Sequence, residues 1–127
     1  MHGKYPDTFY RVSVKAVIHN EKGEILVIKE HQDRWELPGG GLNHGESLQA
    51  SLRRELLEEL GITNQFTMSF IKTKTQYMAS RADQELDFWK MSMYFVVNIV
   101  GDYVPVAGQG VREVSFMPRE VMNHLYG

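Results

Sequence analysis

The chain contains no cysteine. That absence excludes a disulfide framework, a thiolate zinc site and a cysteine nucleophile, so any metal ion must be held by oxygen or imidazole. Long hydrophobic runs are also missing. The longest apolar stretch, MSMYFVVNIV at 91–100, is too short and too polar to span a bilayer, and the N-terminal MHGKYPDTFYRVS has no apolar signal core. These features describe a soluble, cytoplasmic chain with no membrane partner. Charge of one sign is not in excess: a formal net charge of -2 with 24% charged residues gives no bulk attraction for a nucleic acid polymer, and none is expected as a partner.

What is present fits one domain, 1–127, with 43% hydrophobic residues and enough length to bury roughly two-thirds of its unfolded surface. Val12, Val14, Ala16 and Ile18 alternate with mostly polar residues, the period of a half-buried strand. NEKG at 20–23 reads as a turn and EILVIKE as a second strand, which together predict an antiparallel hairpin. After Pro38 the run of glycines argues against any regular element until Ser47. From Ser47 to about Leu60 Pro and Gly are absent, and Gly61 stands where a left-handed residue ends a helix. Residues 66–77 and 86–100 are strand-like, the second placing Met91, Met93, Phe95 and Val97 on one side, with RADQE as the loop between them. VREVSFMP predicts a last strand, and PREVMNHLY a closing helix with Pro118 in its first turn.

The predicted helix is rich in acids. At about 100° per residue, Glu55, Glu58 and Glu59 share an arc of roughly 100°. Leu48, Leu52, Leu56 and Leu60 form a neighbouring apolar ridge, which Leu57 extends and Arg53 interrupts. Either this is a solvated acidic face, or it is a cage of oxygen ligands for a hard cation. A solvated face would interleave basic residues four positions from the glutamates, and Arg54, four before Glu58, is the only one so placed. The PGGG loop favours the cage, because glycine exposes its carbonyls and tolerates the backbone angles that turn them toward an ion. Magnesium takes near-octahedral oxygen ligands, commonly carboxylates, waters and substrate phosphates.

The segment from Gly40 to Ile62 resembles, without a mismatch, the signature of the Nudix hydrolases: a glycine, five residues, a glutamate, seven residues, then REUXEEXGU with U a bulky aliphatic residue. Here these are Gly40, Glu46 and RELLEELGI from Arg54 to Ile62. The resemblance implies an α/β fold, an α/β/α sandwich with a mixed central sheet, a catalytic loop-helix-loop and a C-terminal helix. It implies hydrolysis of a pyrophosphate bond in a nucleoside diphosphate derivative, with Mg2+ or Mn2+ as cofactor. Carried over by position, Glu58, Glu59 and the Gly40 carbonyl would hold metal, Glu55 would be ligand or general base, Glu46 would complete the outer shell and Arg54 would orient the glutamates. A further acid common in the loop is replaced by Asn43.

Family members often add a carboxylate from a later loop. Its expected position falls near Gln109 or Gly110, neither an acid, which leaves Glu113, Glu85, Asp83 and Asp87 as alternatives. The partner implied is a small-molecule nucleotide. Arg11, Lys15, Lys29 and Arg34 are candidates for its phosphates, and Tyr10, Tyr77, Trp89 and Tyr94 for stacking its base, although aromatics at strand spacing are as readily core. Tyr77, some fifteen residues after the signature, resembles a marker of dinucleoside polyphosphate hydrolases, and the proline of ADP-ribose hydrolases is absent, since no proline lies between 39 and 104. The expectation is therefore a nucleoside triphosphate or dinucleoside polyphosphate, with an ADP-ribose or nucleotide-sugar pyrophosphatase and a non-catalytic nucleotide-binding module as alternatives. An RNA-end hydrolase would want a basic track, and the sequence displays no basic cluster. Assembly is left open, a homodimer included.

Overall fold

In a computed structural model, which describes residues 10–30, 33–78 and 88–125, strands divide between two sheets with helical elements on either side. The first sheet joins β4 (Gly39–Gly41), β1 (Tyr10–Val17), β6 (Phe88–Ile99) and β5 (Phe66–Met78) in that order, and the second joins β3 (Trp35–Glu36), β2 (Ile25–Lys29) and β7 (Glu113–Met117). The first is mixed: β1 runs parallel to β6 and antiparallel to β4, and β5 returns antiparallel beside β6. The mixed sheet and the α/β class are those expected. No helix among the described residues is long and apolar enough to cross a membrane.

The first hairpin is a correction. Its turn forms, with the Asn20 side chain accepting from the Lys22 and Glu24 backbones and Gly23 at φ 77°. Pairing stops after a His19–Ile25 bridge, and the strands enter different sheets. Burial on both faces of β2 explains the split. Leu26 and Ile28 join Val14, Ala16, Phe95 and Val97 in the core beneath the long helix, while Ile25 and Val27 join Val17, Leu37 and Tyr94 in a second core covered by Val121, Met122 and Leu125. A strand buried on both faces needs neighbours on each edge, and β3 and β7 supply them.

The long helix α1 (Leu48–Leu60) forms where expected. Ser47 caps it by accepting from the Ala50 N–H, and Gly61 at φ 66° closes it by donating to the Leu57 carbonyl. Leu52, Leu56 and Leu60 are fully buried, whereas Leu57 is 53% exposed and does not extend the ridge. Arg53 lies 5.2 Å from the Phe66 ring, which accommodates its place beside the core. Over its described residues the closing helix begins as a 3-10 turn, Arg119–Val121, after Pro118 and continues as α2 (Met122–Leu125), with Tyr126 outside the described residues.

Candidate active site

Glycine builds the loop against which the acids stand, and contrary to the expectation of irregular backbone it does so as a strand. Ser13, Val14 and Lys15 of β1 pair with Gly41, Gly40 and Gly39. Gly39 has φ 134°, and a Cβ there would run into the Val14 carbonyl oxygen, so no other residue permits this approach. At Gly40 a Cβ would fall 2.5 Å from Glu55 Oε1, so the bare backbone lies directly against that carboxylate.

Arg54 ties loop to helix. Its Nε donates to Glu46 Oε2 at 2.8 Å and its Nη2 to Glu46 Oε1 at 2.9 Å, a two-pronged contact. Nη2 also donates to the Gly41 carbonyl at 3.0 Å, and Nη1 to Glu55 Oε1 at 2.8 Å, with Glu58 Oε2 at 3.6 Å. The guanidinium beside Glu46, helped by the Asn43 N–H, lowers the Glu46 carboxyl pKa to about 2, and Glu46 in turn raises that of Arg54.

The three acids of the shared arc are not equivalent. Glu55 and Glu59 are 9% and 5% exposed, which rules out a purely solvated face, whereas the Glu58 side chain is 44% exposed. Glu59 Oε1 accepts the Gly39 N–H at 2.8 Å. Burial pushes its pKa up to about 8, the Gly39 N–H opposing, with Glu55 and Glu30 adding like charge and Lys15 opposite charge. Glu30 is an acid near the site that sequence reasoning overlooked, since it lies outside the signature and only the fold brings it close.

The end of α1 is held by a later loop. The N–H groups of Val106, Gly108 and Gln109 donate to the carbonyls of Leu60, Glu59 and Glu58, each at 2.9 Å. Gly108 packs so closely that a Cβ would meet the Glu58 carbonyl. Gln109, near the position where an outside carboxylate was expected, meets the helix end through its backbone N–H. Among the other candidates, Glu113 is 3.4 Å from Lys29, and Asp83, Glu85 and Asp87 lie outside the described residues.

Among the described residues no three acids or imidazoles already converge as a metal cage. One oxygen each of Glu55 and Glu59 is engaged by Arg54 and Gly39. The donor chemistry nonetheless fits a hard cation: carboxylates on one arc, two of them buried, against a glycine backbone with no competing side chain.

Beside the loop a cleft of about 300 Å³ opens on the sheet face turned away from α1, lined in part by Lys15, Arg34, Trp35, Lys74, Lys90 and Tyr94. A second of about 270 Å³ includes Arg11, Gly41 and Lys90. Arg34 therefore stands in the cleft. Lys29 does not line it: its ammonium lies 4.6 Å from the Trp35 ring centre and 3.6 Å from Asp33. Tyr77 alternates to the opposite face, packing edge-on against Trp89 with ring centres 5.4 Å apart.

The family profile described as NUDIX domain matches residues 9–126. An RNA pyrophosphohydrolase of Mannheimia succiniciproducens is 46% identical over 55 residues, covering 42% of this chain and 28% of that protein. One of Haemophilus ducreyi is 28% identical over 103 residues, covering 73% of this chain and 52% of that protein. The chain thus spans between about a quarter and a half of the length of these relatives. The crystal structure of a MutT protein from Methanosarcina mazei superposes with a TM-score of 0.72 at 26% identity, covering 95% of this chain and 86% of that one. With a domain profile matched along nearly its whole length and every position of the signature intact, the chain belongs to the Nudix family.

Proposed function

We propose that this Nudix chain hydrolyses a pyrophosphate bond in a nucleoside diphosphate derivative, with nucleoside triphosphates or dinucleoside polyphosphates favoured over ADP-ribose. The observation that carries the reading is Arg54, whose one guanidinium joins Glu46, Glu55 and the Gly41 carbonyl into a single unit. Glu55, Glu58, Glu59 and the Gly40 carbonyl would hold a magnesium or manganese ion. Such an ion, when bound, would neutralise phosphate charge and make water a competent nucleophile. Arg54 keeps Glu46 ionised and Glu55 oriented. Glu55, buried against Gly40, would act either as ligand or as the base that takes the proton from the attacking water, a reading its burial beside the loop supports. Arg11 and Lys15, on β1 next to the loop, lower the cost of bringing an anionic substrate toward an acidic helix.

A second reading, an RNA-end hydrolase, is supported by the names of the relatives above and by the gathering of Arg11, Lys15, Lys74 and Lys90 on one sheet face. One experiment addresses both: products released from nucleoside triphosphates, dinucleoside polyphosphates, ADP-ribose and 5′-triphosphorylated RNA, with magnesium or manganese and with excess chelator. Metal-dependent turnover of a triphosphate or polyphosphate with higher kcat/KM than ADP-ribose is expected. Faster cleavage of ADP-ribose would reverse the substrate choice, and no metal-dependent cleavage of any substrate would overturn the enzymatic reading.

A further inference from the structure

The sheet face turned away from α1 carries charge that the acidic site does not explain. Alternation along β1, β6 and β5 turns Arg11, Ser13 and Lys15, then Lys90 and Ser92, then Lys74 and Gln76 toward it. Strand register sets them in rows, Arg11 beside Lys90 beside Gln76, and Ser13 beside Ser92 beside Lys74. The rows begin at β4, where Gly41 pairs with Ser13 and Gly39 with Lys15. The loop and the basic rows therefore form one continuous surface, about 14 Å wide at about 4.8 Å per strand step.

Opposite charge is sparse on this surface. Arg11, Lys15, Arg34, Lys74 and Lys90 line the two clefts, against a single described carboxylate, Glu36, which stands 3.8 Å from Arg34. Among the described residues Arg11, Lys74 and Lys90 make no ion pair. Lys90 is half-buried, and burial together with the nearby charges of Lys15, Arg34 and Arg11 lowers its pKa despite Glu36. Like charges around a half-buried ammonium oppose folding unless an anion joins them. Between them Ser13 and Ser92, each 8% exposed, give a low polar floor rather than bulk that fills the cleft.

We infer that this basic face binds the phosphates lying beyond the pair that flanks the scissile bond, and that Lys90 and Lys74 select substrates with three or more phosphates. The inference rests on the hydrolase reading for what is scissile, and on the sheet face alone for the anion it binds. A two-phosphate unit held at the Gly39–Gly41 loop reaches β1 and leaves the cations of β6 and β5 unneutralised. A longer chain continues along the rows to Lys90 and Lys74.

The test titrates inorganic pyrophosphate and tripolyphosphate into the metal-free protein by calorimetry, for wild type, Lys90→Met and Lys74→Met. Methionine keeps the apolar stem and removes only charge, and the ligand-free melting temperature of Lys90→Met should not fall, since repulsion is relieved. Wild type should bind tripolyphosphate roughly tenfold or more tightly than pyrophosphate, with affinity declining as salt rises. Each variant should lose roughly tenfold for tripolyphosphate, as expected for a charge-assisted contact, and much less for pyrophosphate. Equal affinity for the two anions, or tripolyphosphate binding unchanged in both variants, overturns the inference. Graded binding by a protein that cleaves no nucleotide with metal would uphold the phosphate face while removing the hydrolase reading, so the two failures are distinct.

Discussion

Glu59 Oε1 accepts the Gly39 backbone N–H at 2.8 Å, so the helix that carries the acids and the strand that carries the glycine loop meet at one buried contact. Both partners depend on features that other residues lack. Gly39 sits at φ 134° with no room for a Cβ against Val14, and Glu59 is nearly sealed from water.

Gly39→Ala should therefore destabilise the fold. Left-handed strain for a residue with a Cβ costs about 1–3 kcal/mol, and collision with the Val14 carbonyl adds to it. A loss of at least about 2 kcal/mol in urea unfolding is expected. An unchanged midpoint would show that β4 can slide away from β1 at little cost.

The Arg54–Glu46 contact predicts an acid-side effect. Its carboxyl pKa is lowered from 4.5 to about 2 in the folded chain, so the contact's contribution is fully present above 4.5 and is lost as pH falls toward 2. Melting temperature should decline over that window, and Glu46→Gln should flatten this part of the profile while lowering stability at pH 7. Parallel profiles for wild type and variant would contradict the assignment.

Much of this site was legible in the sequence because its parts are local. Ser47, Gly61 and the leucines fix α1, and helical spacing alone puts Glu55, Glu58 and Glu59 on one arc. What was hidden depends on strand register. Arg11, Lys15, Lys74 and Lys90 are scattered along the chain and become neighbours only through the parallel β1–β6 and antiparallel β5–β6 pairings, which is why a net charge of -2 concealed a basic face. The failed hairpin has a related cause: a short apolar run shows that a strand is buried, and the run of Ile25 to Ile28 does not show that its two faces serve different cores.

Unequal burial of the acids predicts unequal consequences. Glu59→Gln and Glu58→Gln should each weaken magnesium or manganese binding, followed by calorimetry, and lower activity with it. Glu59→Gln should not lower the stability of the metal-free protein at neutral pH and should raise it above about pH 8, because glutamine still accepts the Gly39 N–H and no charge is then buried, whereas Glu58→Gln, at a half-exposed position, should leave stability unchanged. Glu113→Gln, which disturbs an ion pair with Lys29 on β2, should leave metal affinity intact. Loss of metal binding on changing Glu113 would identify it as the carboxylate supplied from outside the signature.

Glu55 offers the sharpest test of the chemistry, because it touches both elements of the site: Arg54 Nη1 donates to its Oε1 at 2.8 Å, and the Gly40 backbone presses against the same oxygen. Glu55→Gln keeps the size and one acceptor oxygen while removing negative charge and basicity. Glutamine has nearly the helix propensity of glutamate, and the Oε atom can still accept from Arg54, so the fold and the nucleotide site should persist. Loss of a positioned general base slows a reaction by about 10² to 10⁴. The expected result is a folded protein with kcat lower by roughly two orders of magnitude or more and KM little changed, the pattern of an interaction made in the transition state. If Glu55 serves as a metal ligand instead, the same variant should lose metal affinity, and raising the metal concentration should recover much of the rate. A near-normal kcat at the metal concentration that saturates the wild type would remove Glu55 from the chemistry and leave its contact with Arg54 a structural one.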